Sequence, residues 1–370
     1  SQMTIIHERR RRAIMDLMGE GIAIIPTAPE SQRNGDVHYP FRPDSDFYYV
    51  THFPEPQAVA VLIPGRAEGE FVLFCRESNP EQETWHGRRA GLEGARNNFD
   101  ADDAFPIEDI GDILPGLIEN RPKIYYNLGR YADFDKRLLR WIGEVKSKVR
   151  SGISAPEELV DLGHILHELR LIKQREEIRH MKRAAQVSAA AHRRAMTTCH
   201  PGMTEGQVQA ELEYEFGRGG AKSWAYPSIV AGGANACILH YTENTDVLND
   251  GDLLLIDAGA EIGDQPEIGV GLGEYALVDA VGDRGHQDIG GLDRLDQFAG
   301  RQGVIVIVQT GVERDDYPGF DRLGHFAADV NKRLSGRHTA RAPTVGCEWR
   351  LFSRPYLAIQ TCGGAWSGEN

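Results

Sequence analysis

Four apolar residues run straight into a carboxylate at Leu253-Leu254-Leu255-Ile256-Asp257-Ala258-Gly259. A run of this kind reads as a buried strand, and a buried strand that ends in Asp is a chemical oddity. Desolvating an unpaired carboxylate is costly, so such a group has a cation, a metal or several donors beside it. Two readings stand for Asp257. It is a ligand for a hard divalent ion, since carboxylate oxygens suit Mn or Mg, or Zn with a histidine. Otherwise it caps a turn with its side chain in water. His240, in Cys237-Ile238-Leu239-His240-Tyr241, reads as a strand residue facing the same cavity, or as a satisfied core histidine. A third segment, Glu83–Arg96 with Trp85-His86-Gly87-Arg88-Arg89 inside it, is polar and aromatic together. It is either a solvated loop or a lip over a neighbouring active site.

These residues need a scaffold, and the hydrophobic periodicity supplies one. In the first 150 residues an amphipathic helix to about Met18 precedes a buried strand at Gly21–Pro26 and a loop rich in Pro, Asn, Asp and Gly to Asp46. Strands follow at Phe47–Val50, Ala58–Ile63 and Glu70–Cys75, then a helix over Ile107–Ile118, a strand at Lys123–Tyr126 and a helix over Tyr131–Val145. Strands alternating with helices predict an α/β layer. Ser154-Ala155-Pro156-Glu157 is read as opening a helix that carries Leu159, Leu162, Ile165, Leu166 and Leu169. A long helix follows over Lys173–Thr197, with His180 and His192 on its surface. Thr204-x-x-Gln207 has the form of a capping box, opening a helix to about Phe216. Tyr226–Gly233 reads as a strand ending in a glycine turn.

Composition excludes several classes. The 370 residues carry 41 Lys and Arg against 55 Asp and Glu, a net charge of −14, so no surplus of cations is available for nucleic acid. No apolar run approaches the roughly 20 residues of a membrane helix. The five cysteines, Cys75, Cys199, Cys237, Cys347 and Cys362, are widely spaced and form no C-x-x-C pair. That argues against a disulfide framework or a thiolate zinc site. With no signal-peptide core at Ser1-Gln2-Met3-Thr4, a reducing, cytoplasmic setting is expected.

Several motifs in order resemble the aminopeptidase P (Xaa-Pro aminopeptidase) branch of the creatinase/methionine-aminopeptidase superfamily, over about residues 4–262. They are Tyr39-Pro40-Phe41-Arg42-Pro43-Asp44-Ser45-Asp46-Phe47-Tyr48-Tyr49, Trp85–Arg89, Leu169–Lys173 with Glu177-Ile178, Tyr226–Gly233, Ala234-Asn235-Ala236 with Leu239-His240-Tyr241, and Leu254–Gly259. The resemblance implies an α/β N-terminal domain over 1–150 and an α+β "pita-bread" C-terminal domain beginning at 151. It implies two divalent ions, usually Mn, with Zn or Co as alternatives. It implies removal of an N-terminal residue that precedes proline from peptides, by a homo-oligomer (dimer or tetramer). Carried over by residue, Asp257 is the first metal ligand, and His240 holds substrate or stabilises the tetrahedral intermediate. Tyr226 lines the pocket. Trp85 and Asp36 are the N-terminal domain's contribution at a subunit interface.

The resemblance stops near residue 262. The family's ligands are two aspartates, one histidine and two glutamates, and no Asp-Ile-Thr-Arg-like motif follows Asp257. The nearest carboxylates are Asp264 and Glu267. Gly324-His325-Phe326 is similar to the histidine segment but arrives too early. Residues 263–370 are glycine-rich and of mixed signals, with a strand at Val304–Val308 and a short helix at Phe320–Leu334. They are expected to be an unassigned tail, out of frame, rearranged or poorly folded, that leaves the pita-bread domain incomplete, with a genuine divergent domain as the alternative. The alternative to an active aminopeptidase is therefore a catalytically incomplete relative, a truncated or rearranged gene product or a binding and oligomerisation module.

Overall fold

The computed structural model describes residues 2–238, 240–250 and 252–262, and strands at 305–308, 338–341 and 348–351. The expected helix at Phe320–Leu334, together with Asp264, Glu267, His325, Cys347 and Cys362, lies outside the described residues. By contacts the chain divides into two units. The first is Ser1–Gln174, and the second begins at Arg175. Residues 151–174, expected to open the second domain, thus pack with the first.

In the first unit, helix α1 (Gln2–Met18) leads to β1 (Ile22–Pro26), a small hairpin of β2 (Gln32–Asn34) and β3 (Val37–His38), and helix α2 (Ser45–Thr51). Then come β4 (Val59–Leu62), β5 (Phe71–Cys75), α3 (Pro80–His86), α4 (Gly91–Phe99), β6 (Asp103–Pro106), α5 (Ile110–Ile118), β7 (Lys123–Tyr125), α6 (Ala132–Ser147), β8 (Glu158–Val160) and α7 (Leu162–Leu171). Six strands form one sheet in the order β6-β5-β4-β1-β7-β8, antiparallel at β1–β4 and β4–β5 and parallel elsewhere. Alternate residues of β1 face opposite ways, as a strand requires. Ala23 and Ile25 pack with α1, α2 and α7 through Ile14, Phe47 and Leu166. Ile22 and Ile24 pack with α5 and α6 through Leu114, Leu138 and Trp141. The unit is the expected α/β layer, covered on both faces.

Three local expectations fail for stated reasons. Phe47–Val50 is helical, because the Asp44 side chain accepts the N–H groups of Asp46 and Phe47 and caps α2. All four residues are buried, and a short run buried all round carries no period to separate strand from helix. Ser154-Ala155-Pro156-Glu157 opens no helix. Residues Glu158–Val160 join the sheet beside β7, and α7 starts at the Asp161 cap. The Glu83–Arg96 stretch, for which a solvated loop is one of two readings, holds most of α3 and α4; α3 is capped by Asn79.

In the second unit α8 (Arg175–Thr198) and α9 (Glu205–Arg218) pack on β9 (Ala221–Trp224), β10 (Ile229–Gly232), β11 (Leu253–Asp257) and β12 (Ala260–Ile262). The Thr204–Gln207 capping box forms as expected. Strand β10 pairs antiparallel with β11, which pairs parallel with β13 (Ile305–Val308), and β12 pairs with β9. A further hairpin joins β14 (His338–Arg341) and β15 (Glu348–Leu351). Val230, Leu254 and Ile256 face Val187, Ala191, Val208, Leu212 and Phe216 of the helices. His192, expected on the surface, is 4% exposed, its Nδ1 against the Ser188 carbonyl at 2.9 Å. Burial holds it below the usual histidine range.

Candidate functional site

The β10–β11 ladder decides which way Asp257 points. Register places Asp257 opposite Ile229 at the end of β11. Residues at i and i±2 share a face, so Asp257 lies with Leu255, Ile229 and Ala231 on the side away from α8 and α9. The Tyr226 hydroxyl, three residues before β10, donates to Asp257 Oδ1 at 2.5 Å. Burial pushes the Asp257 carboxyl up, and the Tyr226 hydroxyl and His240 pull it back. Tyr226 and Asp257 are thereby brought to one place, and the charge of His240 acts on the same carboxylate. The carboxylate at the end of a buried strand has a donor beside it.

His240 is not a strand residue. After β10 the chain enters a 3-10 turn, Gly233–Cys237, with Gly233 at φ +52°. His240 follows in an exposed turn. The turn is held by a carboxylate that sequence reasoning missed. Glu205, the first residue of α9, is 0% exposed. Its Oε1 accepts the Gly232 N–H at 2.7 Å and the Asn235 side-chain amide at 3.1 Å. Its Oε2 accepts the Tyr241 hydroxyl at 2.7 Å and the Asp246 N–H at 3.0 Å. The Asn244 side chain adds bonds to the Val230 N–H, the Ser228 carbonyl and Gln209. A first-turn Glu reads locally as a solvated partner of the helix dipole, so nothing at Glu205 announces its burial. Asn235 sat in a motif already singled out, and only its role was missing.

Trp85 and Asp36 belong to the first unit. Trp85 lies on α3 and is 79% exposed, and Asp36 lies exposed in the turn between β2 and β3. Cys75, Cys199 and Cys237 are free thiols.

Residues 7–125 match the family described as "Aminopeptidase P, N-terminal domain", and residues 179–265 match "Metallopeptidase family M24". The Xaa-Pro aminopeptidase of Escherichia coli is 41% identical over 256 residues, covering 69% of this chain and 58% of that protein. Over these residues the chain resembles the aminopeptidase P family. The aminopeptidase PepP of Pseudomonas aeruginosa superimposes with a TM-score of 0.69 at 58% identity, over 70% of this chain and 59% of that one. A Zn-substituted Escherichia coli aminopeptidase P in complex with product superimposes at 0.68 with 40% identity, over 70% and 59%. The fold is thus an aminopeptidase P α/β N-terminal domain followed by a pita-bread α+β domain. The chain spans about three fifths of the length of these relatives.

A divalent ion needs several oxygen or nitrogen donors. Among the described residues no three His, Cys, Asp or Glu side chains converge on one point. Asp257 is one carboxylate, and its Oδ1 already accepts a phenol. The described donors therefore do not fit a two-metal cluster.

Proposed function

We propose that this chain acts as an Xaa-Pro aminopeptidase, hydrolysing the bond between an N-terminal residue and a following proline in peptides. The observation that carries the reading is the Tyr226–Asp257 pair at the end of β11, in a chain that resembles aminopeptidase P. In it Asp257 is a ligand to Mn, with Zn or Co as substitutes. Tyr226 orients the Asp257 carboxylate and lines the substrate pocket. His240, exposed on its turn, donates a hydrogen bond to the scissile carbonyl and to the oxyanion that forms there. Trp85 and Asp36 contribute across a subunit interface in a dimer or tetramer.

The partners are peptides with proline second, in the cytoplasm. The net charge of −14 disfavours nucleic acid. Among the described residues no helix is long and apolar enough to cross a membrane.

The test is release of the N-terminal amino acid from an Xaa-Pro peptide by the purified chain, with added Mn and with chelator. Mn-dependent release that Asp257→Ala abolishes supports the reading. No release under either condition overturns it and leaves a catalytically incomplete relative.

A further inference from the structure

We infer that Glu205 is the positioning residue for the His240 turn, setting where His240 stands without touching substrate. The inference rests on reading His240 as the substrate-facing donor. Its observation is separate: one fully buried carboxylate with two donors at each oxygen, drawn from both flanks of that turn. Gly232 and Asn235 come from the upstream flank, and Tyr241 and Asp246 from the downstream one. Tyr241 is the next residue after His240, so the clamp reaches within one peptide of it.

The donor chemistry is specific to a carboxylate. Both oxygens of Glu accept only, whereas Gln would turn an NH2 toward two of these four donors. The clamp also reaches into the helix start. The Glu205 N–H donates to the Asp246 carbonyl at 2.9 Å, and the Asn235 amide lies 3.0 Å from the Tyr241 hydroxyl and 2.9 Å from an Asp246 carboxylate oxygen. Close approach depends on glycine. A Cβ at Gly232 would stand 2.5 Å from Leu248 Cδ2 and 3.4 Å from Glu205 Oε1, and one at Gly206 would stand 2.9 Å from the Asn244 carbonyl. Glu205 thus ties the frame of the sheet and α9 to the turn that carries the exposed His240.

The experiment is hydrogen exchange on the full chain, comparing segment 233–246 with 206–218 of α9. Variants are Glu205→Gln, Tyr241→Phe, which keeps the ring and deletes one donor, and Glu211→Gln, a control on α9 whose partner is Arg194. Glu205→Gln is expected to speed exchange at 233–246 about tenfold or more, with less than about a twofold change at 206–218, since hydrogen bonds to a charged acceptor are the strong ones. Tyr241→Phe should fall between, and Glu211→Gln should leave 233–246 unchanged. An unchanged 233–246 in Glu205→Gln overturns the inference, as does an equal rise in both segments, which marks a residue that only stabilises the helix. Peptide cleavage forms a second arm. If the parent cleaves, Glu205→Gln should lower kcat more than it raises KM, and the reverse split counts against positioning. A parent that cleaves nothing overturns the aminopeptidase reading alone, and the exchange result still decides the role of Glu205.

Discussion

Tyr226 reaches past the end of β10 to donate to Asp257 on the neighbouring strand, at 2.5 Å. The pair joins residues 31 apart in sequence, and the β10–β11 register brings them together. The phenol is one of two groups that draw the Asp257 carboxyl down against its burial, His240 being the other. Tyr226→Phe is therefore expected to raise the Asp257 carboxyl further and to cost about 1 kcal/mol of stability. Carbon-13 NMR titration of the Asp257 carboxyl, with urea denaturation, checks both. A downward move would remove Tyr226 from this role.

Burial leaves the folded Asp257 carboxyl above its unfolded value. A carboxyl raised on folding binds its proton more tightly in the native state. Stability then falls as pH climbs from the unfolded value through the folded one, and stays low above it. In metal-free buffer Asp257→Asn should therefore melt at or above the parent at pH 7, with the two converging near pH 3. A lower midpoint for Asp257→Asn at pH 7 would contradict a desolvated carboxylate.

His7, on α1, is held at about 3 by burial first, and by the nearby Arg10, His52 and Arg11, against the pull of its hydrogen bond to the Tyr49 carbonyl. The ring stacks on His52 at 5.0 Å and meets Tyr48 edge-on at 6.5 Å. A histidine depressed on folding contributes stability that is present above its unfolded value of 6.5 and is lost progressively as pH falls toward 3. His7→Gln keeps a donor for Tyr49 and removes the titration. Its urea midpoint should decline less than the parent's between pH 6.5 and pH 3. Parallel declines would place the acid sensitivity elsewhere.

Asp44 does two jobs with two oxygens. Oδ1 caps α2, accepting from Asp46 and Phe47 at 2.9 and 3.1 Å, and Oδ2 accepts from Arg130 and Tyr131, each at 2.7 Å. These donors together hold its carboxyl below the usual carboxylate range despite burial. Asp44→Ala is expected to cost about 2 kcal/mol, combining a lost cap with a broken ion pair whose Arg130 side is half exposed. Asp44→Asn preserves the cap and should cost about half as much. Equal losses in urea denaturation would show that the cap contributes nothing measurable.

Much of this protein was legible in order along the chain. The short apolar runs at Ile22–Pro26, Val59–Leu62 and Phe71–Cys75, the helical stripes of α6, α8 and α9, and the Thr204–Gln207 box are local signals, and the structure keeps them. Asp257 stood out because a charge ending an apolar run is anomalous wherever the run folds. Phe47–Val50 was misread because burial on every side erases the period. His240 was misread because its backbone follows hydrogen bonds to Glu205 that no local pattern encodes.

The sequence by itself determined the alternation of elements, the family resemblance and the candidate carboxylate, since these depend on residue type and short spacing. Only the tertiary structure decided that Tyr226 faces Asp257, that His240 stands on an exposed turn, and that Glu205 is buried with four donors. Those facts depend on strand register and on which side chains meet across 30 residues or more. Contacts at that distance are settled by the packing of the whole sheet against its helices, and residues with the same local pattern can meet them or miss them.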